Sequence, residues 1–296
     1  MPALILLIIL GIDWASGYAI AGYCMTHGVN PYAYAFWQSF GPFVLLLLIQ
    51  TLRRELWLEK SGVIYAILCG VFGIVIPNLL IYFAATHIPS GLLTVLANVS
   101  PIFTYPLALA FKDERFSFAR LGLIVIGFIG VALVVIPNQH NLSLELGNGW
   151  LYVALLIPLS YAFSAVYLSR FHPGTGSVLN YAMWMLMVST LCVSSLDVMN
   201  RGYYELRFND FNSGLIVLEI LLSTCGYVLL FLIMKMVGAV YYSLVNAIAA
   251  VTGVAYGYFL FGQQFSWLTF VAIAVILLAI SGLTYTQRQR NSQLEV

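Results

Sequence analysis

Ten apolar runs, each about the length that crosses a bilayer as a helix, follow one another along this chain with almost nothing between them. They lie at 2–26, 31–52, 61–86, 89–111, 117–137, 147–170, 176–198, 212–236, 238–261 and 266–286. In lipid every backbone polar group must be satisfied within its own segment or in a closed barrel. A barrel would show ten-residue stretches alternating in polarity; these runs are long and continuous, so they predict helices. The links are short and rich in breakers, as at His27-Gly28-Val29-Asn30-Pro31, Ile88-Pro89-Ser90-Gly91 and Pro137 to Gly149. Composition agrees: 62% of residues are apolar and 8% charged, with a mean hydropathy of +0.96, whereas a soluble domain carries about a quarter charged residues. The first run has no basic residue ahead of it and nine apolar runs after it, which argues against a cleaved leader.

The basic residues orient the helices. With the N-terminus inside, the inner links and tail hold Arg53, Arg54, Lys60, Lys112, Arg115, Arg120, Arg170, Lys235, Arg288 and Arg290, and the outer links hold only Arg201 and Arg207. This positive-inside bias predicts both termini in the cytoplasm and a bacterial inner-membrane location. No basic run tracks phosphates, so nucleic acid is excluded as a partner. Cys24, Cys69, Cys192 and Cys225 stand singly with no metal or redox spacing, and no metal or cofactor is expected. His27, His87, His140 and His172 sit at helix ends or in links and form no catalytic spacing.

The two halves also resemble each other. Displaced by 149 residues, Phe116-Ser117 falls on Phe265-Ser266, and the stretch from Pro89 to Ser117 lies without a gap on Gly238 to Ser266. Five helices per half reverse the orientation of the second copy, giving an inverted repeat of the kind that builds alternating-access carriers around a midplane site. The fold expected is an all-α integral membrane protein of ten transmembrane helices in two inverted five-helix repeats, 1–140 and 141–296.

Certain stretches then resemble a known family. These are Asp13-Trp14-Ala15-Ser16-Gly17-Tyr18, Ala35-Phe36-Trp37-Gln38-Ser39, and the run from Leu92 through Asn98, Ser100 and Pro101 to Thr104, followed by the charged turn Lys112-Asp113-Glu114-Arg115. Together they resemble the EamA-domain branch of the drug/metabolite transporter superfamily along the whole chain. The resemblance implies export or exchange of small metabolites such as amino acids, through a central cavity lined by both halves. Asp13 departs from it, standing where many relatives carry an apolar residue.

Charges inside a membrane are costly and point to function. Asp13, near the middle of the first helix, and Glu219, about two turns into the eighth, are the two acids in this position and the candidates for proton coupling or for holding an ammonium group. Asp13, Ser16, Gly17, Ile20 and Cys24 share one helical face; Glu219, Ser223, Gly226 and Tyr227 share another. Buried cations are lacking, since Lys235 is the basic residue closest to a span interior. Phosphorylated substrates would need such cations, so a neutral, zwitterionic or cationic substrate fits better. Helix four carries Ser90, Thr94, Asn98, Pro101 and Tyr105 at helical spacing, and helix nine offers Tyr242, Asn246 and Gly253. Pro77-Asn78 in helix three and Pro158 with Tyr161 in helix six add polar groups, and Gly41-Pro42 is expected to kink helix two. Trp14 and Trp37 lie deep enough to stack on a substrate, while Trp57, Trp150 and Trp267 lie at span ends. The substrate-binding residues expected are therefore Asp13, Trp14, Gly17, Trp37, Asn78, Asn98, Tyr105, Tyr161, Glu219, Tyr242 and Asn246, with no catalytic residue.

These features predict a secondary transporter, an exporter working by alternating access, with a small-molecule substrate, protons and the lipid bilayer as partners and a monomeric or homodimeric state. A facilitative uniporter or exchanger without proton coupling is the alternative. An intramembrane lipid-modifying enzyme lacks a constellation of His, Ser or Cys, and a channel would call for rings of polar residues rather than an inverted repeat.

Overall fold

The computed structural model describes residues 2–56, 60–112, 116–141, 147–171, 177–207, 209–242 and 244–294. Among them the secondary structure is helical, with no strand. The helices are α1 (Pro2–Thr26), α2 (Pro31–Arg53), α3 (Lys60–Gly70), α4 (Ile76–Ala84), α5 (Ser90–Ala97), α6 (Ser100–Ala110), α7 (Phe118–Asn141), α8 (Gly147–Ala154), α9 (Leu156–Arg170), α10 (Val178–Asn200), α11 (Phe211–Tyr242), α12 (Leu244–Phe261) and α13 (Trp267–Leu294). Eight stretches are long and apolar enough to cross a membrane: Leu4–Thr26, Pro31–Arg53, Gly62–Ala84, Ser90–Ala110, Gly149–Leu168, Leu179–Asn200, Phe211–Leu230 and Trp267–Thr286. Two shorter apolar helices, Phe118–Leu133 and Val245–Phe261, fall on the fifth and ninth expected runs.

Three of the expected helices are broken, each beside a proline. A π turn, Val71–Val75, joins α3 to α4 just ahead of Pro77. The α5–α6 break at Asn98 and Val99 precedes Pro101, and the α8–α9 break at Leu155 precedes Pro158. A proline in the first turn of a helix lacks a donor that would have no partner there anyway. At the second break Asn98 caps the end: its backbone N–H reaches Thr94 O at 3.2 Å and its side-chain Nδ2 reaches the same oxygen at 2.8 Å. By contrast, α2 runs unbroken through Gly41-Pro42, and α11 continues through Gly238 to Tyr242, beyond the end expected at 236. A glycine inside a helix costs only about 1 kcal/mol relative to alanine, so it does not by itself end one.

Packing joins the first part of the chain to the second. α1 lies against α11 and α12, α2 against α10 and α11, α5 against α12, α7 against α13, and α9 against α4 and α6. Glycines set several of these approaches. A methyl group at Gly41 would meet Ile220 at 2.5 Å, at Gly127 Ile102 at 2.5 Å, and at Gly130 Ile276 at 2.8 Å. Many residues turned outward are apolar, among them Val125 and Ile129 on α7 and Leu278 on α13, as suits a lipid-facing surface. Trp267 is exposed at the start of α13, and Trp150 stacks on His87 with centroids 4.3 Å apart; Trp57 lies outside the described residues.

Candidate functional site

The two acids expected from the sequence meet at one helix crossing. Both are buried, Asp13 at 7% exposure and Glu219 at 7%. A carbon added at Gly17 would sit 3.1 Å and 3.2 Å from the two carboxyl oxygens of Glu219; one added at Gly226 would sit 2.6 Å from Asp13 Oδ2 and 3.2 Å from Trp14 Nε1. Going from 17 back to 13 on α1 corresponds to going from 219 on to 226 on α11, so the helices run antiparallel. Each acid lies over a glycine of the other helix. Only glycine leaves room for a carboxylate between two backbones this close.

A line of polar side chains leads away from Glu219 across three helices. Ser223 Oγ donates to Glu219 Oε1 at 2.8 Å, Gln38 Nε2 donates to Ser223 Oγ at 3.5 Å, and Asn78 Nδ2 donates to Gln38 Oε1 at 2.9 Å. α11, α2 and α4 are linked in this way. The other carboxyl oxygen, Glu219 Oε2, is buried without a hydrogen-bond partner, and so is the hydroxyl of Tyr34. Cys24, Tyr34, Tyr82, Tyr227 and Asp13 all lie within electrostatic reach of Glu219. Tyr34 and Tyr82 pack edge to face with centroids 4.7 Å apart. Tyr161 of α9 joins the same region through a side-chain hydrogen bond with Tyr18 of α1.

Asp13, Trp14, Gly17, Asn78, Tyr161 and Glu219 are thus drawn toward one locality. Other expected residues have different surroundings. Trp37 donates from Nε1 to Tyr204 O at 3.0 Å, which ties α2 to the 201–210 link. Asn98 is occupied by Thr94 O of its own helix. Tyr105 accepts from Ser117 N at 2.8 Å and lies under the Arg120 guanidinium, 5.5 Å from its ring centroid, so it fastens the start of α7; Arg120 is itself buried, which corrects the expectation that buried cations are lacking. Asn246 is on α12, which faces α1, and the side chain of Tyr242 lies outside the described residues. Sequence reasoning did not assign Gln38, Ser223, Tyr34 or Tyr82 to the site. Gln38 had a visible signal, an amide inside an apolar run; the tyrosines had none that sets them apart from the chain's 19.

The 201–210 link is itself ordered by an acid. Asp210 accepts from Ser213 N at 3.1 Å and Ser213 Oγ at 2.9 Å, capping α11, and the Tyr204 hydroxyl also donates to it. The Tyr204 hydroxyl first, and then Ser213, hold the Asp210 carboxyl below the usual carboxylate range.

Comparison with known proteins agrees with this architecture. The model of the EamA-like transporter family matches residues 1–136 and 148–285. An uncharacterized transporter of Archaeoglobus fulgidus is 26% identical over 113 residues, 36% of this chain and 38% of that protein. A probable terminal-alkyne amino-acid exporter of Streptantibioticus cattleyicolor is 26% identical over 118 residues, 40% of this chain and 39% of that protein. The matched stretches therefore span well under half of either relative. A crystal structure of another protein superposes with a TM-score of 0.65, over 96% of this chain and 97% of that one at 15% identity, a likeness of fold.

Proposed function

This chain belongs to the EamA-like transporter family and is a multi-pass membrane protein, and from that premise we propose that it is a secondary exporter moving a small neutral, zwitterionic or cationic metabolite by alternating access. The observation that carries the reading is Glu219: a buried acid at the α1–α11 crossing, held by Ser223 on one oxygen and unpartnered on the other. A membrane protein keeps such a group where an ion or substrate passes. Glu219 and Asp13 bind and release the coupling proton in this reading, with Ser223, Tyr34, Tyr82, Tyr227 and Cys24 as the groups around Glu219.

Two halves, 1–140 and 141–296, cross the membrane five times each in opposite senses, with both ends cytoplasmic and the bacterial inner membrane as the site of action. The helix contacts support the halves. If α1 corresponds to α8–α9, α2 to α10, α3–α4 to α11, α5–α6 to α12 and α7 to α13, then exchanging the halves turns α1 on α12 into α9 on α6. It likewise turns α1 on α11 into α9 on α4, and α2 on α11 into α10 on α3; all six contacts occur. The family match in two stretches points the same way. Export rather than import follows the direction named for the Streptantibioticus relative. Transport, with no chemistry on the substrate, is the whole of the activity proposed.

Flux into and out of proteoliposomes, with and without a pH gradient, tests this. Efflux of amino acids or amines that rises with an opposing proton gradient is the expected result. Absence of flux for every amino acid and amine tried would overturn the reading.

A further inference from the structure

We propose that the site at the α1–α11 crossing selects an organic ammonium that carries no carboxylate, an amine rather than an α-amino acid. The inference rests on the transporter reading and narrows its substrate. Three observations lead to it. Glu219 Oε2 and the Tyr34 hydroxyl are both buried and unpartnered, and they lie within electrostatic reach of each other. An ammonium group has donors and no acceptor, so it suits an unpartnered carboxylate oxygen or phenol oxygen of this kind. Tyr34, Tyr82 and Tyr227 lie within electrostatic reach of the same acid, and aromatic faces attract organic cations when water is excluded.

The third observation concerns charge of the other sign. A zwitterion must place its own carboxylate near the site. Asp13 stands one helical turn from Gly17, against which Glu219 lies, so that region already holds two acids. α1, α4 and α12 contain neither Lys nor Arg; α2 and α9 carry one only at their ends, Arg53 and Arg170, and on α11 the nearest basic residue is Lys235. It lies sixteen residues beyond Glu219, about 24 Å along the helix axis. The amides of Asn78 and Gln38 are joined to each other and to Ser223. An amine gains from either acid when it is ionised, and a substrate carboxylate is then repelled.

Tyramine, tyrosinamide and tyrosine form a matched set, sharing ring and amino group and differing in whether a carboxylate is present. Binding to the purified full chain in nanodiscs, and counterflow in proteoliposomes, would be measured for each. Tyramine and tyrosinamide should bind and exchange, and tyrosine should be at least tenfold weaker. Glu219→Gln should lower tyramine affinity by about 30-fold or more, the scale of removing one partner of a buried charge pair. Tyr34→Phe, which keeps the ring, should cost less and leave the order of the three compounds unchanged. Tyrosine binding as well as tyramine would overturn the proposal while leaving a transporter in place. If none of the three binds or exchanges but other amino acids do, the proposal falls alone. If nothing moves at all, the transporter reading falls with it.

Discussion

Glu219 is held on one side only, and that asymmetry sets what its substitutions do. Ser223 anchors Oε1 and nothing among the described residues takes Oε2. Ser223→Ala should therefore free the acid without removing it: substrate affinity shifts by a few-fold and transport persists, measured as KM in counterflow. Glu219→Gln should abolish the response to a pH gradient, and so should Asp13→Asn if both acids take part; full pH-dependent flux in the Asp13 variant would remove that residue from the coupling step. Gly226→Ala acts on the same pair from the other helix. Its new methyl would sit 2.6 Å from Asp13 Oδ2, so the carboxyl must turn away. The expected outcome is a folded protein with impaired transport, read from unfolding and flux on the same preparation. Both acids were legible from sequence alone, because a charge in an apolar run is rare enough to stand out. The partnership of Gln38 with Asn78, which leads to Glu219 through Ser223, was not. It joins residues 40 positions apart on different helices, and nothing in an apolar pattern gives the rotation of one helix against another.

At the scale of elements, glycine marks where helices touch, and the contacts differ enough to separate by experiment. Gly41→Ala drives a methyl into the branched Ile220 side chain at 2.5 Å, whereas Gly122→Ala enters open space. The first should lose about 1–3 kcal/mol by overpacking and the second should lose nothing, compared by thermal unfolding in one detergent. The capping carboxyl of Asp210 gives a second contrast. The folded state holds it below its ordinary range, so it stabilises the start of α11 at pH above the ordinary Asp value, and that contribution is lost as pH falls through the depressed one. The protection of the Ser213 amide against hydrogen exchange, referred to the intrinsic rate at each pH, should fall on acidification in the native chain and be low at every pH in Asp210→Ala. Sequence reading placed the apolar runs well and their ends less well. Breaks fall next to Pro77, Pro101 and Pro158, whereas Gly41-Pro42, where a kink was expected, lies inside an unbroken α2, and α11 runs past the end expected at 236. Asn98 shows a different limit. Its stripe with Thr94 suggested a cavity wall, yet an amide beside a helix break finds its nearest acceptor in its own chain.

For the whole molecule, the two-fold relation proposed between the halves would have a mechanical consequence. Contacts that map onto themselves when the halves are exchanged straddle the axis; those that map onto a different contact lie away from it. α2–α10, α5–α12 and α7–α13 are of the first kind, and α1–α11 is of the second. If one half rocks against the other, groups at the axis move little while groups far from it separate. Ser39 on α2 and Ser189 on α10 are bonded at 2.8 Å in a buried position, in a contact that would straddle the proposed axis. Asn212 at the start of α11 reaches His27 O, after α1, at 3.4 Å, away from it. With the native thiols replaced, Ser39→Cys with Ser189→Cys should form a bridge under oxidant that leaves counterflow within about twofold of the reduced protein. His27→Cys with Asn212→Cys, joined by a short thiol-reactive linker, should stop counterflow until the linker is reduced. The opposite pattern, a blocked α2–α10 pair and a tolerated α1–α11 pair, would rule out rocking of the halves about that axis. It would leave local gating at the Glu219 crossing as the motion that moves the substrate.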